Sequence, residues 1–274
     1  MKKISLLLVF AMISATIIAQ SPVKFTDLTE ATDQSSEASF KINYQAPGIQ
    51  FNFAGFGEAP LSVPCNADLY EEVFEDFTNN LIGPANVAGC GNDVLDCTTT
   101  DICYAAGGVE CGFTVTGLDG GGGGELVLLT TGFLGAAIDF VGPNFFVDNF
   151  DVAFDEPTNR FAMDLASAFG GDDVLLNVYD DGGALVLAGV LTLPSVATPG
   201  QLEVFTSGPA FLSRAEFIDV TPAASALMGG LTWCRPLPPT VPTMGEWAII
   251  SLAIMLVIVG VVSMRQTETE AYVA

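Results

Sequence analysis

Val174-Leu175-Leu176-Asn177-Val178-Tyr179-Asp180-Asp181-Gly182-Gly183-Ala184-Leu185-Val186-Leu187 is the stretch that decides the fold. Val174, Leu176 and Val178 alternate with Leu175, Asn177 and Tyr179, a period of two that buries one face of a strand and part of the other. The Asp/Gly pairs from Asp180 to Gly183 suit a tight hairpin whose central residues need positive φ. A second apolar run, 184–193, returns from that turn. Outward from the hairpin the same pattern repeats, with strands expected at 49–54, 112–116, 125–131, 136–141, 145–154, 160–166, 202–206 and 214–220. Many short strands with Gly, Pro and Asp turns predict an all-β sandwich or barrel. Residues 49–235 are long enough to form one such domain with its own core.

Three stretches between the strands read differently. Residues 68–80 carry Leu69, Val73, Phe74 and Phe77 at one-face helical spacing, and Asp68 with Glu71 resembles an N-cap and its acidic partner. A strand carrying Val73 to Phe77 competes with that helix. Residues 20–48 form a polar, mostly extended segment with one stray strand at 39–44, where Phe40, Ile42 and Tyr44 alternate with Lys41 and Asn43. Residues 223–230 are small and permissive, and Pro236, Pro238, Pro239 and Pro242 make a stiff spacer after them. The glycine run 120–124 leads into Glu125 and a strand, not into the lysine and helix start that a phosphate-binding loop requires, so it is a flexible loop.

Both ends carry addresses. Lys2 and Lys3 precede an apolar run that closes on Ala19-Gln20, the pattern of a secretory signal peptide over residues 1–19. At the other end, Ala248 to Met264 form an uncharged apolar run with Trp247 at its entry and Arg265 at its exit, together the span 248–265. That run predicts a transmembrane helix at the short end of the usual length, with residues 266–274 as a cytoplasmic tail. The net charge is −24, with 8 basic and 32 acidic residues and no histidine. Nucleic acid is excluded as a partner, because binding it needs a basic footprint.

The segment Val241-Pro242-Thr243-Met244-Gly245-Glu246-Trp247, followed by the apolar run and Arg265, resembles the bacterial exosortase-type C-terminal sorting signals of the Ile-Pro-Thr-Leu kind. It departs from them at Val241, at Ala248 and in its single basic residue. The resemblance implies sorting through Pro242, Thr243, Met244, Gly245, Glu246, Trp247 and Arg265, with an exosortase-like processing enzyme as partner. An ordinary single-pass anchor is the alternative. The run from Phe150-Asp151-Val152-Ala153-Phe154 through Phe161-Ala162-Met163-Asp164-Leu165 to Ala215-Glu216-Phe217 is similar to jelly-roll-like domains of surface proteins with such tails. Some of those resemble carbohydrate-binding modules, which implies a jelly-roll-like sandwich and an extracellular glycan as ligand.

Catalytic chemistry finds little footing. Without histidine, a Ser-His-Asp or Cys-His arrangement has no base, and zinc-dependent hydrolysis loses its ligands. Glu71, Glu72, Glu75 and Asp76 are the densest acids and read as a solvated face. The expected function is therefore a non-catalytic binding or structural role at the cell surface or in extracellular polymer. The alternative is a secreted polysaccharide-active enzyme working through a carboxylate pair. Calcium is the one cofactor considered, at Asp148, Asn149, Asp151 and Asp155, because hard cations take several carboxylate and carbonyl oxygens.

Six cysteines in an exported chain predict disulfides. Six allow 15 pairings. Closing short loops costs little entropy, which biases Cys90, Cys97, Cys103 and Cys111 to pair among themselves. Cys65 would then join Cys234 and staple the entry of the domain to its exit. Local pairing of Cys65 with the cluster, leaving Cys234 free, is the other outcome.

Overall fold

The alternation that begins at Val174 is an alternation of burial: Val174, Leu176 and Val178 are buried, while Leu175, Asn177 and Tyr179 are only partly so. The structure is a computed structural model, which describes residues 38–55, 65–67, 69–78, 81–118, 124–145, 148–208, 211–220, 226–237 and 249–259. The chain divides into two units, Met1–Pro236 and Leu237–Ala274.

The strands of the first unit are β1 (Ser39–Gln45), β2 (Ile49–Ala54), β3 (Tyr70–Glu75), β4 (Val87–Gly89), β5 (Val94–Leu95), β6 (Phe113–Leu118), β7 (Leu126–Leu129) and β8 (Phe140–Pro143). They continue with β9 (Asn149–Thr158), β10 (Arg160–Ala166), β11 (Asp172–Asp180), β12 (Leu185–Leu193), β13 (Gly200–Thr206), β14 (Leu212–Asp219) and β15 (Leu227–Pro236). One sheet has the order β1-β12-β11-β14-β9-β6-β5. The other has the order β2-β13-β10-β15-β8-β7-β4, with β3 also paired to β15. The strand pairs are antiparallel, so the domain is an all-β sandwich of two antiparallel sheets. Val115, Phe150, Val152, Leu176 and Phe217 of the first sheet share a buried core with Phe161, Met163, Leu202, Val204, Leu231 and Trp233 of the second. A second cluster, including Leu134, Ala136, Phe140, Ala166, Val196 and Leu227, gives the second sheet apolar cover elsewhere.

That second cluster explains why 136–141 is not the strand its apolar content predicts. Gly132 and Gly135 take positive φ around a 3-10 turn, Phe133–Gly135. Asp139 accepts hydrogen bonds from the Thr131 amide at 2.7 Å and the Thr131 hydroxyl at 2.6 Å. The chain is therefore looped until Phe140. The strand expected at 145–154 begins only at Asn149 and runs on to Thr158. The strand at 39–44 is no stray: β1 pairs with β12, and Phe40 packs edge-on against Phe51 of β2 at 4.7 Å.

Two corrections are larger. Of the two readings of 68–80 it is the strand that forms, at Tyr70–Glu75 and so earlier than Val73 to Phe77, in place of the helix. It pairs with β15 from Leu231↔Glu75 to Pro236↔Tyr70, which buries Val73 and leaves Leu69 and Phe74 exposed. The apolar residues at helical spacing thus serve opposite faces of a strand. The small, permissive stretch 223–230 leads into β15, which lies between β10 on one side and β8 and β3 on the other. Its glycines hid it. A Cβ at Gly229 would stand 2.9 Å from the Asp139 carbonyl oxygen, and one at Gly230 would stand 2.6 Å from Asp164 Oδ2. Glycine in this strand marks close approach.

The disulfides are Cys65–Cys234, Cys90–Cys103 and Cys97–Cys111. The clustered cysteines pair among themselves and the long staple forms, as the loop-length argument favours. In the second unit, residues 249–259 are helical with Ile249, Leu252, Met255, Leu256 and Val259 exposed. Among the described residues no helix is long and apolar enough to cross a membrane. The expected signal segment 1–19, Pro242, Thr243, Met244, Gly245, Glu246, Trp247 and Arg265 lie outside the described residues, as does the rest of the predicted 248–265 span.

The staple closes a sequence separation of 169 residues. Replacing both partners, Cys65→Ser with Cys234→Ser, is expected to lower stability by about 5 kcal/mol in the chain-entropy model. Denaturant midpoints under non-reducing conditions check this. An unchanged midpoint would mean that the staple adds nothing to pairing already secured by β15.

Candidate functional site

β3 ends in a turn before β4 of the same sheet, and that turn forms one wall of an open groove. Phe74 points outward and is 59% exposed, while Glu75 points inward and is buried. Phe77 takes φ 53°, an uncommon conformation for a bulky residue, and is fully buried edge-on to Phe113 at 6.0 Å. Phe113 in turn meets Trp233 at 5.2 Å. The Glu75 carboxylate holds this turn to the opposite wall: Oε1 accepts from the Phe77 amide at 2.6 Å and Oε2 from the Glu110 amide at 2.6 Å.

That opposite wall, residues 107–111, belongs to the disulfide-clasped excursion. Cys90–Cys103 and Cys97–Cys111 fix its ends. Asp101 Oδ1 accepts from the amides of Cys103 at 2.6 Å and Tyr104 at 2.8 Å. Gly107, at φ 71°, donates to the Cys97 carbonyl at 3.1 Å. Between this wall and residues 74–78 lies an open groove of about 490 Å³. Among the described residues its charged lining is Glu75, Asp76 and Glu110, with no basic side chain. Burial pushes the Glu75 carboxyl above its ordinary range, the two amides pull it back, and the charges of Asp76 and Glu110 push it up further.

The acids read as one solvated face therefore separate. Glu71 pairs with Arg235 at 3.1 Å and Glu72 with the buried Arg160 at 3.0 Å. Asp76 caps the Thr78 amide at 2.8 Å. Glu75 alone is buried. Phe74 and Glu110 were not singled out by sequence. The signal for Phe74 was an apolar residue at an exposed position of a strand, and the helical spacing masked it.

The four residues expected to share a calcium ion do not converge. Asn149 and Asp155 are separated by roughly 20 Å of strand at about 3.3 Å per residue, far beyond one ion's reach. Asp151 instead pairs with Arg214 at 3.6 Å on the outer face of its sheet. There the Arg214 guanidinium lies over the Tyr179 ring at 4.3 Å, and the Tyr179 hydroxyl donates to Glu216 at 2.8 Å. Asp155 is exposed. Asn149 Oδ1 accepts from the Asp219 amide at 2.8 Å, and buried Asp148 accepts from the Gly124 amide at 3.3 Å.

Asp148 belongs with two acids from other strands. Burial first, then the charges of Asp172 and Asp148, push the Asp219 carboxyl up to about 8. Its Oδ2 is buried with no hydrogen-bond partner among the described residues. Asp148, Asp172 and Asp219 are the residues whose chemistry suits a hard cation, but they form a looser cluster than a coordination shell. Among the described residues, three metal-type ligand atoms lie within 4.8 Å of one another only at Cys90, Asp101 and Cys103, where the two sulfurs are bonded to each other. No family model matches the chain, and no curated protein or solved structure matches it either.

The raised carboxyls set a pH dependence. Burial also pushes Asp164 up to about 6. Unfolded aspartate titrates near 3.9, so the folded state keeps protons that the unfolded state gives up. Their contribution to stability is full below about 4 and is lost as pH rises through about 6 and then about 8. Urea midpoints measured with chelator present should fall between pH 7 and 9 for the wild type. They should fall less for Asp219→Asn, which should be the more stable protein at pH 9. Equal slopes for the two proteins would contradict this.

Proposed function

We propose that this chain is an exported surface protein whose disulfide-bonded, jelly-roll-like sandwich binds extracellular glycan without catalysis, using the groove between residues 74–78 and 107–111. The observation that carries the reading is the pairing of an exposed aromatic rim with an immobilised acid. Phe74 offers a flat apolar surface of the kind that sugar rings cover, beside hydrogen-bonding carboxylates and backbone. Glu75, the buried acid of the groove, has both oxygens held by backbone amides. A general acid or nucleophile needs an oxygen free to meet substrate. The raised Glu75 carboxyl is the one feature that favours the polysaccharide-active alternative, and its fixed hydrogen bonds weigh against it.

Export is the setting this reading requires. Three disulfides fit an oxidising, extracellular environment. Apolar residues exposed around the 249–259 helix suit a membrane surrounding, in line with a C-terminal sorting signal read by an exosortase-like enzyme. On this reading the membrane is a partner through that helix until processing, and the sandwich faces outward.

The test is a glycan array probed with the full chain and with Phe74→Ala. Binding to at least one glycan class, reduced about tenfold or more by Phe74→Ala, is the expected result. Release of reducing ends from a bound polysaccharide would move the assignment to the enzyme. The intact mass of the surface-located protein should also lack residues 1–19 and most of 248–274. A mature species that retains Arg265 would instead identify a plain anchor.

A further inference from the structure

The charge of the groove selects among glycans. We infer that its ligand is a polymer of amine-bearing sugars, whose ammonium groups pair with the Glu110 and Asp76 carboxylates while the ring face covers Phe74. This rests on the glycan-binding reading of the same groove and narrows it.

Three observations lead there. Among the described residues the lining holds three carboxyls and no basic side chain. Arg235 is the cation at its edge, and it is already engaged: its guanidinium pairs with Glu71 at 3.1 Å and donates to the Cys111 carbonyl at 3.3 Å. The protein as a whole carries −24, so uronate, sulfate or phosphate polymers are repelled before they reach the groove. A neutral sugar would meet the carboxylates through hydroxyls. An ammonium group makes the same contacts as charge-assisted bonds, roughly twice as strong as neutral ones.

The groups around the acids keep that charge available. Glu75 spends both oxygens on backbone amides, and Asp76 spends Oδ1 on the Thr78 amide. Glu110 has its amide engaged, while its side chain lies at the exposed lip. The upward push that Asp76 and Glu110 exert on Glu75 reports an acidic field that no side chain of the lining cancels. Phe74 stands at the rim of that field, where a ring face attracts a cation as well as the apolar side of a sugar.

The experiment compares binding of the full chain to β-1,4-linked oligomers of glucosamine, N-acetylglucosamine and glucose at matched length, by calorimetry at low ionic strength and slightly acid pH. The glucosamine oligomer should bind at least tenfold more tightly than the other two, and the margin should shrink in high salt. Glu110→Gln and Asp76→Asn, which retains the oxygen that caps Thr78, should each weaken the glucosamine oligomer about threefold and leave the neutral ones unchanged. Phe74→Ala should weaken every oligomer that binds. Equal or tighter binding of either neutral oligomer, or no response to Glu110→Gln and Asp76→Asn together, overturns the amine assignment while leaving glycan binding in place. Failure of all three oligomers to bind overturns the amine assignment, and overturns glycan binding as well where the array also shows no bound glycan. Non-reducing mass analysis of each variant, with the three disulfides intact, confirms that the groove is assembled in the protein tested.

Discussion

The Cys65–Cys234 bond is the constraint on which the closing of β3 on β15, and with it the groove, depends. It ties the residues just before β3 to the last strand of the domain across a separation of 169 residues. β15 is also the strand on which the second sheet closes, because β10 pairs along one edge while β8 and β3 share the other. A strand that arrives last and sits inside the sheet leaves its neighbours unfinished until it docks. Thr158 marks the same junction: its hydroxyl lies within donating distance of the Arg160 carbonyl at 2.7 Å and the Cys234 carbonyl at 2.9 Å, and accepts from the Cys234 amide. The groove inherits this order, since its Phe74 wall is the end of β3.

Much of the sheet was legible because its strands are buried in alternation. Val174 to Val178 carry that signal plainly, and loop entropy pointed to the Cys65–Cys234 staple while leaving open which of the four clustered cysteines join. What was missed was missed for physical reasons. β15 contains Gly229 and Gly230, which low β-propensity marks as a break, yet they are needed where the Asp139 carbonyl and Asp164 come close. β3 carries apolar residues at helical spacing, and only its partner strand decides between helix and strand. Propensity is a weak prior that tertiary pairing overrides.

The acids were the least legible part. A run of sequence such as Asp148 to Asp155 looks like one cation site, but a strand carries its residues apart in space and to alternate faces. The acids that do meet, Asp148 with Asp172 and Asp219, come from the ends of different strands. The groove follows the same rule, because Glu75 and Glu110 are joined only by the fold. With 32 acidic residues in the chain, density along the sequence carries little information, and what distinguishes an acid is the company that the sheets give it.

The central claim is that closing β3 on β15, held by the staple, assembles the groove. Amide hydrogen exchange on the oxidised wild type and on the Cys65→Ser, Cys234→Ser double variant tests it most directly. In the wild type, the Phe77 and Glu110 amides that Glu75 engages should be protected, as should the β3 amides. In the double variant those amides should lose protection, while the β11–β12 hairpin around Val174 to Val178 keeps it. Unchanged protection at Phe77 and Glu110, or an equal loss across β11 and β12, would contradict the account.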